Sequence, residues 1–569
     1  MNNNRYFFWV IILITVSLLL GFYVGKYYRL KGPQYKILRS GQNKINEALE
    51  IISLNYVDTV DIDYLTESAV GKIVSELDPH SSYIPASEVE SANEDLESSF
   101  SGIGIQFNMN TDTIIIISII SGGPAEKAGL MPFDRIIKVN DSIVAGQNIG
   151  TNKMIRMLRG AKDSKVILGI QRGNTSDLVN FELKRGDIPN YSVDVSYKVS
   201  DNIGYIKVTK FARSTYNEFL TAIAKLKQQG VKGFVIDLRD NPGGYMESAI
   251  NMINEFLSKG QMIVYTQGRN FIRSNMHSNG KGTCQDAPVV ILINEFSGSA
   301  SEIFSGAIQD NDRGLIIGGR SYGKGLVQTK LDFSDRSELL LTIARYYTPS
   351  GRCIQKEYEM GKSEEYSQDI YNRYMHGEFF YSDSIKMIDS LEFKTVGGRS
   401  VYGGGGIMPD IFVPRDTTNV TSYYSSVINT GVLYQFALEY SDRNHDKLDK
   451  FDDYKKLLEY LKQQHLINEF SDFAADKGIK KRPTLINISQ NLIERQLHAY
   501  IVRNFFDNDG FYPIFLNDDA SLNKAIEVIR KGIWKPDIFE EYLRNIKDEP
   551  ISSVFYNSGN IAKNYYANA

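Results

Sequence analysis

Between residues 203 and 319 the sequence alternates short apolar runs with longer stretches of helical periodicity. IGYIKV (203–208), VKGFVIDLR (231–239), VVILIN (289–294) and GLIIGG (314–319) have strand length and are nearly continuous in Ile, Val, Leu and Phe. Helical stretches lie between them, over 214–229, from Gly244 onward, and over 299–310. A strand with one face in water alternates apolar and polar residues, whereas an unbroken apolar run has both faces covered. This alternation therefore predicts an α/β core: a mostly parallel sheet with a layer on each side. ELLLTIARYY (338–347) adds a further long strand.

The flanking regions follow other rules. Over 36–76, Ile45, Leu49, Ile52 and then Leu65, Ala69, Ile73 recur at three- and four-residue spacing, which predicts a helical arm over 31–97. SANEDLESSFS (91–101) is acidic and rich in small residues and reads as a hinge. From 98 to 186 short strands surround one helix: GIGIQF, TIIIISII, the turn SGGPAEKAGL, RIIKVN, the helix NKMIRMLRG, then KVILGIQR and LVNFELKR. That is one unit of its own, placed ahead of a core over 187–415. Residues 355–401 are charged, Tyr-rich and poorly periodic, an excursion that GGGGIMPDIFVP (403–414) brings back. The 416–569 segment reads as amphipathic helices with solvated charged faces.

Residues 6–25 (YFFWVIILITVSLLLGFYVG) carry no charge and are long enough to cross a bilayer as a helix. The competing reading is a cleaved signal peptide, but the apolar region is long and no Ala-x-Ala-like site precedes Lys26, so an uncleaved anchor over 1–30 is expected. Arg5 precedes the span while Lys26, Arg29 and Lys31 follow it, a charge bias that by itself favours a cytoplasmic body. A net charge of −4 offers no basic footprint, so nucleic acid is not an expected partner. Cys284 and Cys353 lack metal-ligand spacing; they either pair or stay as buried thiols, and the latter is expected.

Three short motifs carry the candidate chemistry. In NEFSGSASEIFSGAIQD (294–310), Ser299 follows a buried strand and a glycine turn and opens a helix, with Glu302 three residues on. Ser-x-x-Glu is a capping box, which accounts for the serine without any chemistry. The same geometry exposes the hydroxyl at the end of the sheet and aims the next amide, that of Ala300, at a carbonyl under attack. Ser297 and Ser301 are weaker candidates. A serine needs a base, and His80, His277, His376, His445, His465 and His498 offer none at the end of a core strand beside an acid; GxSxG and HExxH are absent.

SYGKGLVQ (321–328) supplies an alternative, Lys324 between two glycines after a core strand. An amine acts as a base only when neutral, so burial must lower its pKa. Gln328 would reach the same side if this segment were helical, orienting the amine without adding a negative charge. DLRDNPGGYM (237–246) ends a strand in two glycines, and an amide of Gly243 or Gly244 is placed to meet a developing oxyanion beside Ala300. Each motif alone is also an ordinary turn or surface feature. No phosphate-binding glycine motif is present.

Taken together with LDPHSSY (77–83), FSGIGIQF (100–107), LTIARYYTPSGRCIQ (341–355) and GIMPD (406–410), these motifs resemble the C-terminal processing peptidases, or tail-specific proteases, over roughly 77–414. The resemblance implies a crotonase/ClpP-like protease core with an inserted PDZ domain, between the helical N-terminal arm and a helical C-terminal extension. It implies a Ser–Lys dyad with a supporting glutamine, falling on Ser299, Lys324 and Gln328, and no metal or organic cofactor. A PDZ domain adds a ligand strand at an edge and holds its carboxylate in backbone amides, which points to Gly102, Ile103, Gly104 and Ile105. Arg159 aligns loosely with an arginine that in relatives links peptide capture to assembly of the active site. Expected partners are protein or peptide tails and a membrane; an adaptor or a second copy of the chain are further candidates. These peptidases act outside the cytoplasm, so the body is expected in the periplasm despite the charge bias. The competing functions are an inactive peptide-binding scaffold and a carrier of hydrophobic ligands. Residues 355–401 and the stretch after Pro414 exceed the family pattern.

Overall fold

A computed structural model describes residues 44–545 apart from 95, 110–112, 121 and 174–176, together with 15–17, 19–20 and 555–556. The expected anchor over 6–25 lies, save for those few positions, outside the described residues. Among the described residues no helix is long and apolar enough to cross a membrane.

The apolar runs form the sheet they predict. Ile203–Val208, Gly233–Asp237, Val289–Ile293, Leu315–Gly318 and Ile411–Phe412 lie side by side in chain order, each parallel to the next. Val193–Ser200 closes one edge antiparallel. Strands that succeed each other in one direction, joined by right-handed crossovers, put every crossover helix on the same face. Phe219, Ile223, Met252, Ile303, Phe304 and Ile308 from the helices Thr215–Gln228, Met246–Asn254 and Ala300–Asp310 accordingly pack on one side, against Ile206, Ile236 and Ile291.

The opposite face, with Tyr205, Val235, Val290, Leu292 and Ile317, needs a separate cover. It comes from Ala520–Arg530 and Pro536–Asn545, through Leu522, Ala525, Val528 and Phe539. The two-sided burial read from the sequence thus has one local layer and one drawn from the C-terminal extension. Ahead of that layer, helices from Ser422 to Phe515 form a bundle around Phe436, Leu457, Phe470, Ile493 and Leu497.

A second sheet lies beside the first. Glu338–Tyr347 pairs with Ser82–Ile84, Leu326–Asp332 and Met262–Gln267, so it joins the arm, the segment after Lys324 and the core. The 98–186 unit has its own antiparallel sheet, Ile105–Asn108, Ile114–Ile119, Arg135–Val139, Lys165–Gln171 and Leu178–Lys184, over a core of Ile116, Ile136, Met154, Leu158 and Leu168. Ser99–Gly102 pairs with Gly186–Pro189, so the chain leaves and rejoins the core at one ribbon.

The expected hinge is partly ordered. Val89–Glu94 is helical, and the acids around it are anchors: Glu94 pairs with Arg159 and Glu97 with Arg213. The bundle grips the inserted unit from elsewhere, through an Arg135–Asp442 ion pair and through Phe133, whose ring lies 5.4 Å from that of His445 and 6.1 Å from that of Phe505. Within 355–401 lie the helix Ser363–Met375 and a small hairpin of Glu392–Lys394 with Ser400–Tyr402. Cys284 is buried, Cys353 is half-buried, and both are free thiols.

Candidate active site

Ser299 sits where the sequence suggests, on the turn between the core strand Val289–Ile293 and the helix Ala300–Asp310. Its φ of 53° and ψ of −112° are unfavourable for a residue with a side chain. The turn is held from below by Asn241, itself fully buried. The Asn241 carbonyl accepts from Gly298 N at 3.0 Å and Ser301 Oγ at 2.9 Å, and its side-chain amide donates to Val208 O at 2.9 Å. Asp240 N donates to Asn294 Oδ1 and Asn294 Nδ2 donates to Asp240 Oδ1, each at 2.9 Å, tying the same two loops again. Ser297 donates to Leu238 O at 2.8 Å. Ser297 and Ser301 are fully buried with their hydroxyls engaged in this scaffold, which removes both weaker candidates.

The two glycines divide their roles. Gly243 N donates to Asn241 Oδ1 at 2.9 Å, so that amide is already used. A Cβ on Gly243 would lie 2.7 Å from Ser299 Cβ and 2.9 Å from Ala300 N, so only glycine lets the two turns meet here. Among the described residues, the amides of Gly244 and Ala300 donate to no partner. Phe211 brackets Gly244 through the bonds Phe211 N to Gly243 O, 2.8 Å, and Tyr245 N to Phe211 O, 2.7 Å.

Lys324 is half-buried, and among the described residues its amine has no hydrogen-bonding or ion-pairing partner. Burial lowers its pKa, opposed by the charges of Asp78 and Glu302. No hydrogen bond joins it to Ser299; the two segments are linked through their backbones instead. The Tyr346 hydroxyl lies 3.0 Å from Ser299 O and 2.5 Å from Lys324 O and donates to this pair of carbonyls.

Glu302, fully buried, does more than cap its helix. Its carboxylate accepts from Ser299 N at 2.8 Å, Lys324 N at 2.9 Å, Gly323 N at 2.7 Å and Ser321 Oγ at 2.5 Å. Burial pushes this carboxyl up to about 7 even against those four donors. Sequence reasoning saw the residue only as part of a capping box.

Gln328 differs from expectation. The segment is the strand Leu326–Asp332, with a register shift between Val327 and Gln328, and not a helix. The Gln328 side chain donates to the carbonyl of His80. His80, set aside in the search for a base, lies beside the lysine: burial and then the Lys324 charge push its imidazole down to about 4, and its Nε2 is 2.9 Å from the Tyr366 hydroxyl. LDPHSSY was the only signal for it.

In the inserted unit, Ile105–Asn108 is an edge strand. Gly102 ends the ribbon, Ile103 is buried, and Gly104 adopts a φ of +80°. The carbonyls of Ile103 and Gly104 accept from Ala125 N at 2.8 Å and Ile120 N at 3.0 Å. Arg159 ends the helix Thr151–Leu158, stacks 4.4 Å over the Phe100 ring and pairs with Glu94 of the arm.

Family comparisons agree with this layout. Peptidase family S41 matches residues 202–362, the PDZ domain family matches 101–183, and a Family of unknown function (DUF8443) matches 423–507. The carboxy-terminal processing protease CtpA of Bacillus subtilis is 37% identical over 316 residues, 55% of this chain and 67% of that protein. A probable CtpA-like serine protease of Staphylococcus aureus is 34% identical over 345 residues, 60% of this chain and 68% of its own length. Among solved structures, a photosystem II D1 C-terminal processing protease aligns at 27% identity and a TM-score of 0.32, covering 55% of this chain and 89% of that one. The chain belongs to peptidase family S41, as a serine-type peptidase of the carboxy-terminal processing group with an inserted PDZ domain.

Proposed function

We propose that this peptidase cleaves polypeptides captured by their C-terminal tails, with Ser299 as nucleophile and Lys324 as its base. The observation that carries the reading is the strained Ser299 turn, with the amides of Ala300 and Gly244 on adjoining loops and a half-buried lysine amine, all three without partners among the described residues. Neutral Lys324 would take the Ser299 proton as Oγ attacks the peptide carbonyl. The two amides would hold the oxyanion, the protonated lysine would return its proton to the leaving amine, and water would then release the acyl group. Glu302, uncharged below about 7, does not oppose neutral Lys324 until it ionises. Gln328 would act on the lysine's surroundings through His80. Because Ser299 and Lys324 are not hydrogen-bonded, the dyad must close before reaction.

The tail would add as a strand along Ile105–Asn108 with its carboxylate at 102–105, and Arg159, tied to the arm, would relay occupancy toward the site. The uncharged 6–25 segment favours a membrane anchor; the family resemblance, against the charge bias flanking that segment, favours a body in the periplasm, and adaptor binding or self-association would use 355–401 or the helical extension. No cofactor enters the chemistry. Labelling of the full chain by a fluorophosphonate tests the reading: the wild type is labelled and Ser299→Ala is not. A wild type that binds C-terminal peptides yet resists labelling would instead identify an inactive scaffold.

A further inference from the structure

Lys324 lies in a loop that should be slack, because glycines flank the lysine and Gly323 has a φ of +90°. We propose that the 355–401 segment, through Arg373 first and Tyr366 second, positions the catalytic base by gripping this loop from outside the core; the inference rests on the reading of Lys324 as that base.

Arg373 is buried, 4% exposed, on the helix Ser363–Met375. Its guanidinium donates to the carbonyls of Arg320 at 2.8 Å and Ser321 at 3.0 Å, the two residues that lead into the loop. Glu378 locks it there, accepting from Arg373 Nε at 3.1 Å and Arg320 Nη2 at 2.6 Å. A planar fork over consecutive carbonyls fixes a backbone direction as a single ammonium cannot. Further along, Lys356 N donates to Gly323 O at 3.0 Å and Gln355 Oε1 accepts from Gly325 N at 2.8 Å. The Lys356 amine is itself fixed by Asp369 at 2.9 Å and lies 4.3 and 4.0 Å from the ring centres of Tyr322 and Tyr366. Tyr366 meets His80 Nε2 at 2.9 Å, and the His80 carbonyl takes the Gln328 side chain. The loop is thus held at its start, its middle and its far end by one segment outside both sheets.

The charged and titratable groups around the amine are Asp78 and His80 before the strand Ser82–Ile84, Glu302 on the helix Ala300–Asp310, Tyr322 in the loop itself, and Lys356 and Tyr366 of the gripping segment. A loosened loop admits water to the amine and removes the burial that lowers its pKa. The test is the rate of fluorophosphonate acylation of Ser299 in the full chain, followed across pH. Arg373→Met is expected to react about 100-fold more slowly, with the acid limb of the profile moved to higher pH, and Arg373→Lys to recover part of both. Tyr366→Phe, which removes one hydroxyl and leaves the ring contacts, is expected to be about tenfold slower with the limb moved the same way. It decides the matter if Arg373→Met does not fold.

Loss of amplitude with an unmoved limb would mean a merely structural role and overturn the inference, as would wild-type rates in both variants. The parallel control is Lys324→Met. If it acylates like the wild type, the reading of the base has failed and the inference falls with it; if it is inactive while Arg373→Met and Tyr366→Phe behave normally, only the inference fails.

Discussion

The Ser299 turn and the Lys324 loop are held in different ways. The turn is a product of the sheet: Asn241, Asp240, Asn294 and Ser297 lie within a few residues of adjacent parallel strands, and their hydrogen bonds close one strand-end loop onto the next. The lysine loop draws its partners from farther along the chain: backbone bonds join it to Ser297, Ile407, Lys356 and Tyr346, and the side chains of Glu302 and Tyr346 add to them. The strained conformation of Ser299 persists only in a rigid frame. As the proposed base, Lys324 must be kept from water yet move far enough to meet the hydroxyl, so tethers from several separate segments suit it. The missing Ser299–Lys324 hydrogen bond fits a resting state in which the turn is finished and the loop is not.

The largest expected effect falls on the loop's own chemistry. Lys324→Met should lower peptide cleavage by about 10⁴-fold while leaving the melting temperature unchanged or raised, because a half-buried amine that has no partner among the described residues adds nothing to stability through pairing. Steady-state kinetics and a thermal melt on one preparation check both parts. Retained activity would make the comparison above irrelevant to catalysis.

Next in size is the residue that joins the two loops. Glu302→Gln keeps the shape but puts an NH₂ where a carboxylate oxygen accepts from backbone amides, so one or more of Ser299 N, Gly323 N and Lys324 N loses its acceptor. Cleavage should fall about 100-fold and stability by about 1–3 kcal/mol. The same site gives a pH signature. Burial keeps the Glu302 proton on the folded protein up to about 7, whereas the unfolded chain releases it near the ordinary value of 4.5. The folded state therefore binds more protons across that window, and this contribution to stability, full below 4.5, is lost as pH rises to 7. Melting temperatures of wild type and variant should converge over that range. A constant difference would mean that the carboxyl does not titrate there.

The same contrast explains what was legible in the sequence. Ser299, Ala300 and the two glycines could be read because strand, turn and helix are contiguous, and the core sheet because apolar runs without alternation admit one explanation. The layer on its second face could not be assigned: in-order right-handed crossovers leave that face bare, but nothing local says that Leu522, Val528 and Phe539 cover it. Glu302 was visible as a cap, and its reach to Ser321, Gly323 and Lys324 depends on a loop two elements away. For Gln328 the helical spacing does not apply, since the residue belongs to a strand with a register shift beside it, and its place near the lysine rested on the family resemblance. Arg373 sat in a stretch whose charge and weak periodicity read as an excursion from the core, although its own guanidinium is buried.

The smallest effect is expected where the PDZ domain meets the arm. Arg159 and Glu94 form a partly exposed pair, with side chains 35% and 19% accessible. Such pairs are screened and worth at most about 1 kcal/mol. Glu94→Ala should thus change cleavage of a tailed protein by no more than about fivefold, and leave Ser299 acylation by a small fluorophosphonate unaltered. Salt should mimic it, since 0.5 M NaCl shortens the screening length to about 4 Å. If Glu94→Ala instead slowed acylation as much as Glu302→Gln, the pair would belong with the tethers of the lysine loop, and the division between a finished turn and a tethered base would extend to the domain that captures the tail.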